Sequence, residues 1–228
     1  MEYKIDGTVM QTLRIELDPG EQIFSQTHPL AWMNDNIVMD THTGGGLRAG
    51  LMRGLTGGSI FITDFTAEAQ GGGKGEIAFA PRFPGSIMAR KLAEGESLIC
   101  KRESFLCAEK SVDLDVVWQR RFGVGVFGLM GMVLQRASGP GTVWLDLSGE
   151  VINRQLGDGE RLQVHIGHIA VHEPSVAIEL QMIRGFRNIV FGGDGLVLAV
   201  LTGPGEIWLQ SMPMINLADD LARYLPGK

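Results

Sequence analysis

Apolar and polar positions alternate with a period of two in short runs along much of the chain. Leu13-Arg14-Ile15-Glu16-Leu17 is the first clear case. Val112-Asp113-Leu114-Asp115-Val116, Leu162-Gln163-Val164-His165-Ile166 and Val176-Ala177-Ile178-Glu179-Leu180 follow. A strand that buries one face shows this alternation, because successive side chains point to opposite sides of a sheet. The runs are short and separated by Gly, Pro and Ser clusters, which predicts antiparallel β-structure with one wet face. Asp18-Pro19-Gly20-Glu21 reads as a turn, since proline presets φ and glycine accepts a positive φ. A short helix is predicted only at 216–225. There Asn216 caps the first turn, Leu217, Leu221 and Leu225 share a face, Asp219 and Asp220 suit the dipole, and Pro226 stops the helix.

The pattern recurs. Leu92 to Leu145 lies on Leu156 to Leu209 at an offset of 64 without a gap, and 20 of the 54 aligned positions are identical. The matches include Gly95/Gly159, Glu96/Glu160, Arg120/Arg184, Phe127/Phe191 and the runs Gly139-Pro140-Gly141 and Gly203-Pro204-Gly205. A third, earlier copy is marked by Gly20-Glu21 and by Gly75-Glu76-Ile77-Ala78-Phe79. Its offset to the next copy is 75 at the start (Gly20 to Gly95) and 66 at the end (Gly75 to Gly141), so it carries nine extra residues. These are expected around Gly44–Gly58 or Gly71–Gly75, because glycine-rich loops tolerate insertion. Each copy is expected to end in a hairpin, with Val143-Trp144-Leu145 and Ile207-Trp208-Leu209 returning from the Gly-Pro-Gly turn. The expected organisation is one compact body over 1–228, made of repeats at 14–80, 92–146 and 156–210. Units of that size are marginal alone and gain by burying apolar faces against each other.

Glycine, at 32 of 228 residues, is about double its usual share, and its recurring positions point to tight turns rather than disorder. The net charge of −6 disfavours non-specific nucleic-acid binding, which depends on neutralising phosphates. Cys100 and Cys107 form no disulfide framework and no CxxC motif; Cys107 aligns with Val171 and Trp32 and reads as a buried thiol. Met1-Glu2-Tyr3-Lys4 does not open a signal peptide. The longest apolar run, Phe122 to Leu134, has 13 residues and four glycines, against the roughly 20 that a spanning helix needs. A soluble, cytoplasmic protein is expected.

The triplicated unit is L-x-x-G-E, a central apolar strand pair, a basic residue and a glycine-rich turn before a final strand. This resembles a family of uncharacterised proteins, the bacterial relatives of the altered-inheritance-of-mitochondria protein twenty-four. The resemblance covers 14–212 and rests on Gly20-Glu21, Gly95-Glu96, Gly159-Glu160 and the three glycine-rich turns. It implies an all-β fold of three tandem small β-sandwiches in a pseudo-threefold arrangement. Each is a short double-stranded β-helix like the tryptophan RNA-binding attenuation protein, and three chains would form a closed ring. It implies no catalytic residue and no cofactor. Strand edges need covering, and a cyclic homo-oligomer closes the outer ones, so a homotrimer is expected.

Candidate chemistry is sparse. Arg48, Arg53, Arg120, Arg121, Arg184 and Arg187 lie beside glycine-rich backbone, where exposed N–H groups and a guanidinium can hold an anion; the alternative is structural pairing with Asp113 or Glu179. The apolar loop residues Leu55, Phe127, Leu129, Met130 and Met132 form a candidate interface, with a partner protein or a membrane as the alternative to buried contact. His165, His168 and His172 lie close in sequence but lack a completing ligand set, and read as surface and turn residues. Glu21, Glu96 and Glu160 read as turn caps. No metal site is expected, and none of the nucleotide-binding, zinc-protease or serine-hydrolase motifs is present. The leading expectation is a non-catalytic oligomeric scaffold or binding protein, associated with an unknown protein or a membrane. A small-ligand or anion binder is second, and an RNA binder by fold analogy third.

Overall fold

The computed structural model describes residues 1–26, 29–43, 61–68, 73–117, 133–182, 197–213, 217, 221 and 224. Among the described residues the fold is all-β, with several antiparallel sheets. The chain divides into two units, Met1–Leu147 and Ser148–Lys228.

The first unit holds β1 (Glu2–Asp6), β2 (Thr12–Leu17), β3 (Gln22–Gln26), β4 (Leu30–Met33), β5 (Ile37–Thr43), β6 (Phe61–Ala67) and β7 (Gly75–Phe79). It continues with β8 (Gly85–Leu92), β9 (Ser97–Lys101), β10 (Phe105–Glu109), β11 (Asp113–Val116), β12 (Leu134–Ser138) and β13 (Gly141–Ser148). One sheet runs β1-β2-β7-β4 and another β5-β6-β3-β10-β13-β8, while β11-β12-β9 are also paired in that order. The alternation in Leu13–Leu17 buries Leu13, Ile15 and Leu17 completely. They pack with Ile77 and Phe79 of β7 against Ile23, Ile37, Phe65 and Ala67 of the facing sheet. Phe65 and Phe79 meet edge to face across this core at 5.7 Å between ring centres, a favoured aromatic geometry.

The second unit holds β14 (Val151–Leu156), β15 (Arg161–His165), β16 (Ile169–His172), β17 (Ala177–Met182), β18 (Val197–Thr202) and β19 (Gly205–Gln210). Strands β16-β19-β14 and β15-β18-β17 are paired in those orders. Leu156, Ile169 and Ile207 from the first set pack against Val164, Ile178, Ala199 and Leu201 from the second.

Strand order obeys one rule. In each run of six strands beginning at β2, β8 and β14, the first, sixth and third strands pair, and the fourth, fifth and second pair. The third strand carries a bulge each time, between Leu30 and Trp32, Phe105 and Cys107, and Ile169 and Val171. Backbone bonds locate the nine extra residues. Ile37, Val112 and Val176 donate equivalently to Asn34, Glu109 and Glu173, still at the offset of 75. Ala67, Gly139 and Gly203 donate equivalently to Glu21, Glu96 and Glu160, where the offset has fallen to 72. Three extra residues therefore precede Ala67 and six lie between Ala67 and Gly75, so both expected stretches share them.

The expected hairpins are not hairpins. β12 has β11 on one side and β9 on the other, and β18 lies between β15 and β17. Neither has a free edge for the strand that follows. The chain crosses instead at Gly139-Pro140 and Gly203-Pro204, both cis, into the other sheet. At the C-terminal end Leu217 and Leu221 are helical, the Leu217 N–H reaches Pro213 O at 3.4 Å, and Leu221 is exposed. The rest of 216–225, apart from a turn at Tyr224, lies outside the described residues.

Two glycines separate the cost of backbone conformation from that of space. Gly159 has φ +69° with nothing near a would-be Cβ, whereas Gly205, at the crossing, has φ +146° and would place a Cβ 2.7 Å from Val176 Cγ2. Gly159→Ala is expected to cost about 1 kcal/mol from the left-handed backbone alone. Gly205→Ala adds overpacking and should cost about 3 kcal/mol. Urea unfolding measures both; equal losses would contradict the crossing geometry.

Candidate functional site

The six arginines Arg48, Arg53, Arg120, Arg121, Arg184 and Arg187 and the apolar residues Leu55, Phe127, Leu129, Met130 and Met132 all lie outside the described residues. The candidate chemistry that can be built starts with the recurring glutamates. Glu21, Glu96 and Glu160 each fold back across their own turn. Their Oε2 atoms accept the backbone N–H of Asp18, Ala93 and Gly157, each at 2.9 Å. Each glutamate N–H returns a bond to the carbonyl of that same residue, at 2.9, 3.1 and 3.0 Å. This reciprocal pair satisfies turn groups that strands cannot. Acid–base chemistry needs two carboxylates with different environments in one pocket; these three sit in separate turns.

The histidines differ from their expected surface character at one position. His172 is 2% exposed in β16, its Nδ1 lies 2.8 Å from Glu173 O, and burial lowers its pKa. It is a neutral core residue. His168 places Nδ1 2.8 Å from Gln210 O, and the rings of His165 and His168 meet edge to face at 5.8 Å. Among the described residues no group of three His, Cys, Asp or Glu side chains converges as metal ligands would. Cys100 and Cys107 are buried, and desolvation pushes the Cys100 thiol up to about 12 and Cys107 well above its usual value. Only the thiolate is a nucleophile, so both act as small core residues.

Two strand edges stand out instead. In β4 the residues Leu30, Ala31 and Trp32 are exposed. The strand pairs with β7 alone among the described residues, and the Trp32 indole donates to Glu76 Oε1 at 3.0 Å. In β15 Arg161 and Gln163 are exposed, and among the described strands of its unit it pairs only with β18. Unpaired N–H and C=O groups along such edges are templates for another strand. No helix among the described residues is long and apolar enough to cross a membrane.

The model of the mitochondrial biogenesis AIM24 family matches residues 3–212. The chain belongs to that family. It is also 27% identical, over 99% of its length and 92% of the relative's, to an uncharacterized protein of Streptococcus pyogenes serotype M6. The crystal structure of a Streptococcus pyogenes protein has a similar fold, with a TM-score of 0.78 and 24% identity over 98% of this chain and 99% of the other.

One acidic group of this AIM24-family chain is placed at a cost. Asp146 in β13 is largely buried, its Oδ1 has no hydrogen-bond partner among the described residues, and desolvation raises its pKa to about 6. Gln210, 64 positions on, fills the corresponding place with a neutral amide that donates to Gly167 O at 3.0 Å and accepts the Ser148 N–H at 3.2 Å. Between about pH 4 and pH 6 the folded protein keeps a proton that the unfolded chain releases, so stability falls as pH rises through that window. Asp146→Asn should therefore be more stable than the parent at pH 7, by about 2–3 kcal/mol, with the gain vanishing below pH 4. Denaturant unfolding at the two pH values checks this, and a pH-independent difference would contradict it.

Proposed function

We propose that this AIM24-family chain is a non-catalytic scaffold of three tandem small β-sandwiches, in a pseudo-threefold arrangement like that of the attenuation protein. Three such chains join into a ring that offers its surface to a protein or membrane partner. The observation that supports this reading is one strand pairing within the first unit. β3 pairs antiparallel with β10, with Ala108 opposite Phe24 and Glu109 opposite Ile23, so that β5-β6-β3 and β10-β13-β8 become one six-stranded sheet. Edge-to-edge growth of this kind leaves outer edges that need cover, and a closed assembly is one arrangement that supplies it. The recurring turn groups and the buried thiols support a structural use. The glutamates tie turns, the glycines make crossings, and the thiols stay protonated in the core.

Native mass spectrometry of gently purified protein tests the proposal. A species of three chain masses is expected at micromolar concentration. A single chain mass would overturn it.

A further inference from the structure

Resting on the trimer reading, we infer that the ring closes by antiparallel pairing of β4 of one chain with β15 of the next, in the register already used by β10 and β3. Leu30, Ala31, Trp32 and Met33 occupy the same places in their bulged strand as Phe105 to Ala108 and Ile169 to His172. The latter two sets are buried throughout, whereas three of the four residues in β4 are exposed. Trp32 is 47% exposed, where Cys107 and Val171 are at 0%. Three consecutive apolar residues, Leu30 to Trp32, therefore lack on β4 the cover that their counterparts have.

The β15 edge shows the same deficit. β15 corresponds to β3 and β9. Ile23, Phe24 and Ser25 are buried, and so are Leu98, Ile99 and Cys100. In β15 Leu162 is half-buried, Gln163 is exposed and only Val164 is buried. In the junction of the first unit these two kinds of strand cover each other. β4 and β15 are matching halves of a junction of the same kind.

The register follows by transfer. Ala108 opposite Phe24 becomes Met33 opposite Gln163, and Glu109 opposite Ile23 becomes Asn34 opposite Leu162. The Lys110 N–H donates to Gln22 O at 3.2 Å just beyond, which becomes Asp35 donating to Arg161. That rung sets an aspartate against an arginine, both on exposed positions, and opposite charges on facing strands attract. The occupant of each edge is a second copy of this chain.

The test is cysteine cross-linking of the full-length protein. Met33 and Gln163 would face each other as a hydrogen-bonded pair, with Cα atoms about 5.5 Å apart, inside the range a disulfide spans. The native thiols are buried. The variant carrying both Met33→Cys and Gln163→Cys, oxidised in air, should run as linked dimers and trimers on a non-reducing gel. A control with Met33→Cys and Glu179→Cys, on the other edge strand of the β15 sheet, should link several-fold less. Should the cysteine variants not fold, the charged rung provides a second readout. Asp35→Arg alone and Arg161→Asp alone should each shift the trimer toward monomer on dilution, and the double variant should restore it. A trimer by native mass with no 33–163 link and no charge rescue would overturn this closure while leaving the trimer itself intact. A monomer of the parent chain would overturn both.

Discussion

A β-strand satisfies its backbone only through its neighbours, and every other feature of this chain follows from that obligation. Each N–H and C=O removed from water needs a partner. Within a sheet the next strand provides it, but the outermost strands remain open. Here the second strand of one six-strand set is sealed by the third strand of the next, as β3 is by β10. The sheets of the first unit thus grow sideways rather than curling shut. The turns follow the same logic, since Glu21, Glu96 and Glu160 lend a carboxylate to an N–H that no strand reaches.

This obligation also explains what could be read in advance. The strands were legible because alternation reports a buried face, and Leu13, Ile15 and Leu17 are fully buried as their spacing requires. The turn glutamates were legible because they recur beside a glycine. Pairing was not. Gly139-Pro140-Gly141 resembles a hairpin tip, but periodicity carries no information about which edges are already taken, and β12 is flanked on both sides before β13 begins. His172 was misjudged for a related reason: its burial depends on where β16 sits, and nothing in the spacing of His165, His168 and His172 reveals it. The arginine and apolar loop candidates remain sequence readings, since all of them lie outside the described residues.

Two buried titratable groups among the described residues have local structural explanations. Asp64 is buried but accepts Lys110 Nζ at 2.7 Å and lies 3.1 Å from His42 Nε2, joining β6 to its surroundings. Lys101 is buried, and desolvation pulls its ammonium down to about 8. Perturbed groups are signs of function only where they converge on a common space. The shift at Lys101 answers to its own burial. Membership in the AIM24 family accords with the fold, and the proposed role rests on the sheet edges.

Hydrogen exchange at the backbone amides of β4 and β15, followed by mass spectrometry over a dilution series, tests the edge-pairing account most directly. Paired edge amides exchange slowly and free ones exchange at once. The account predicts that both strands are protected in the assembled protein and lose that protection together on dilution, while β2 and β18 stay protected. Fast exchange in β4 and β15 at every concentration would contradict it.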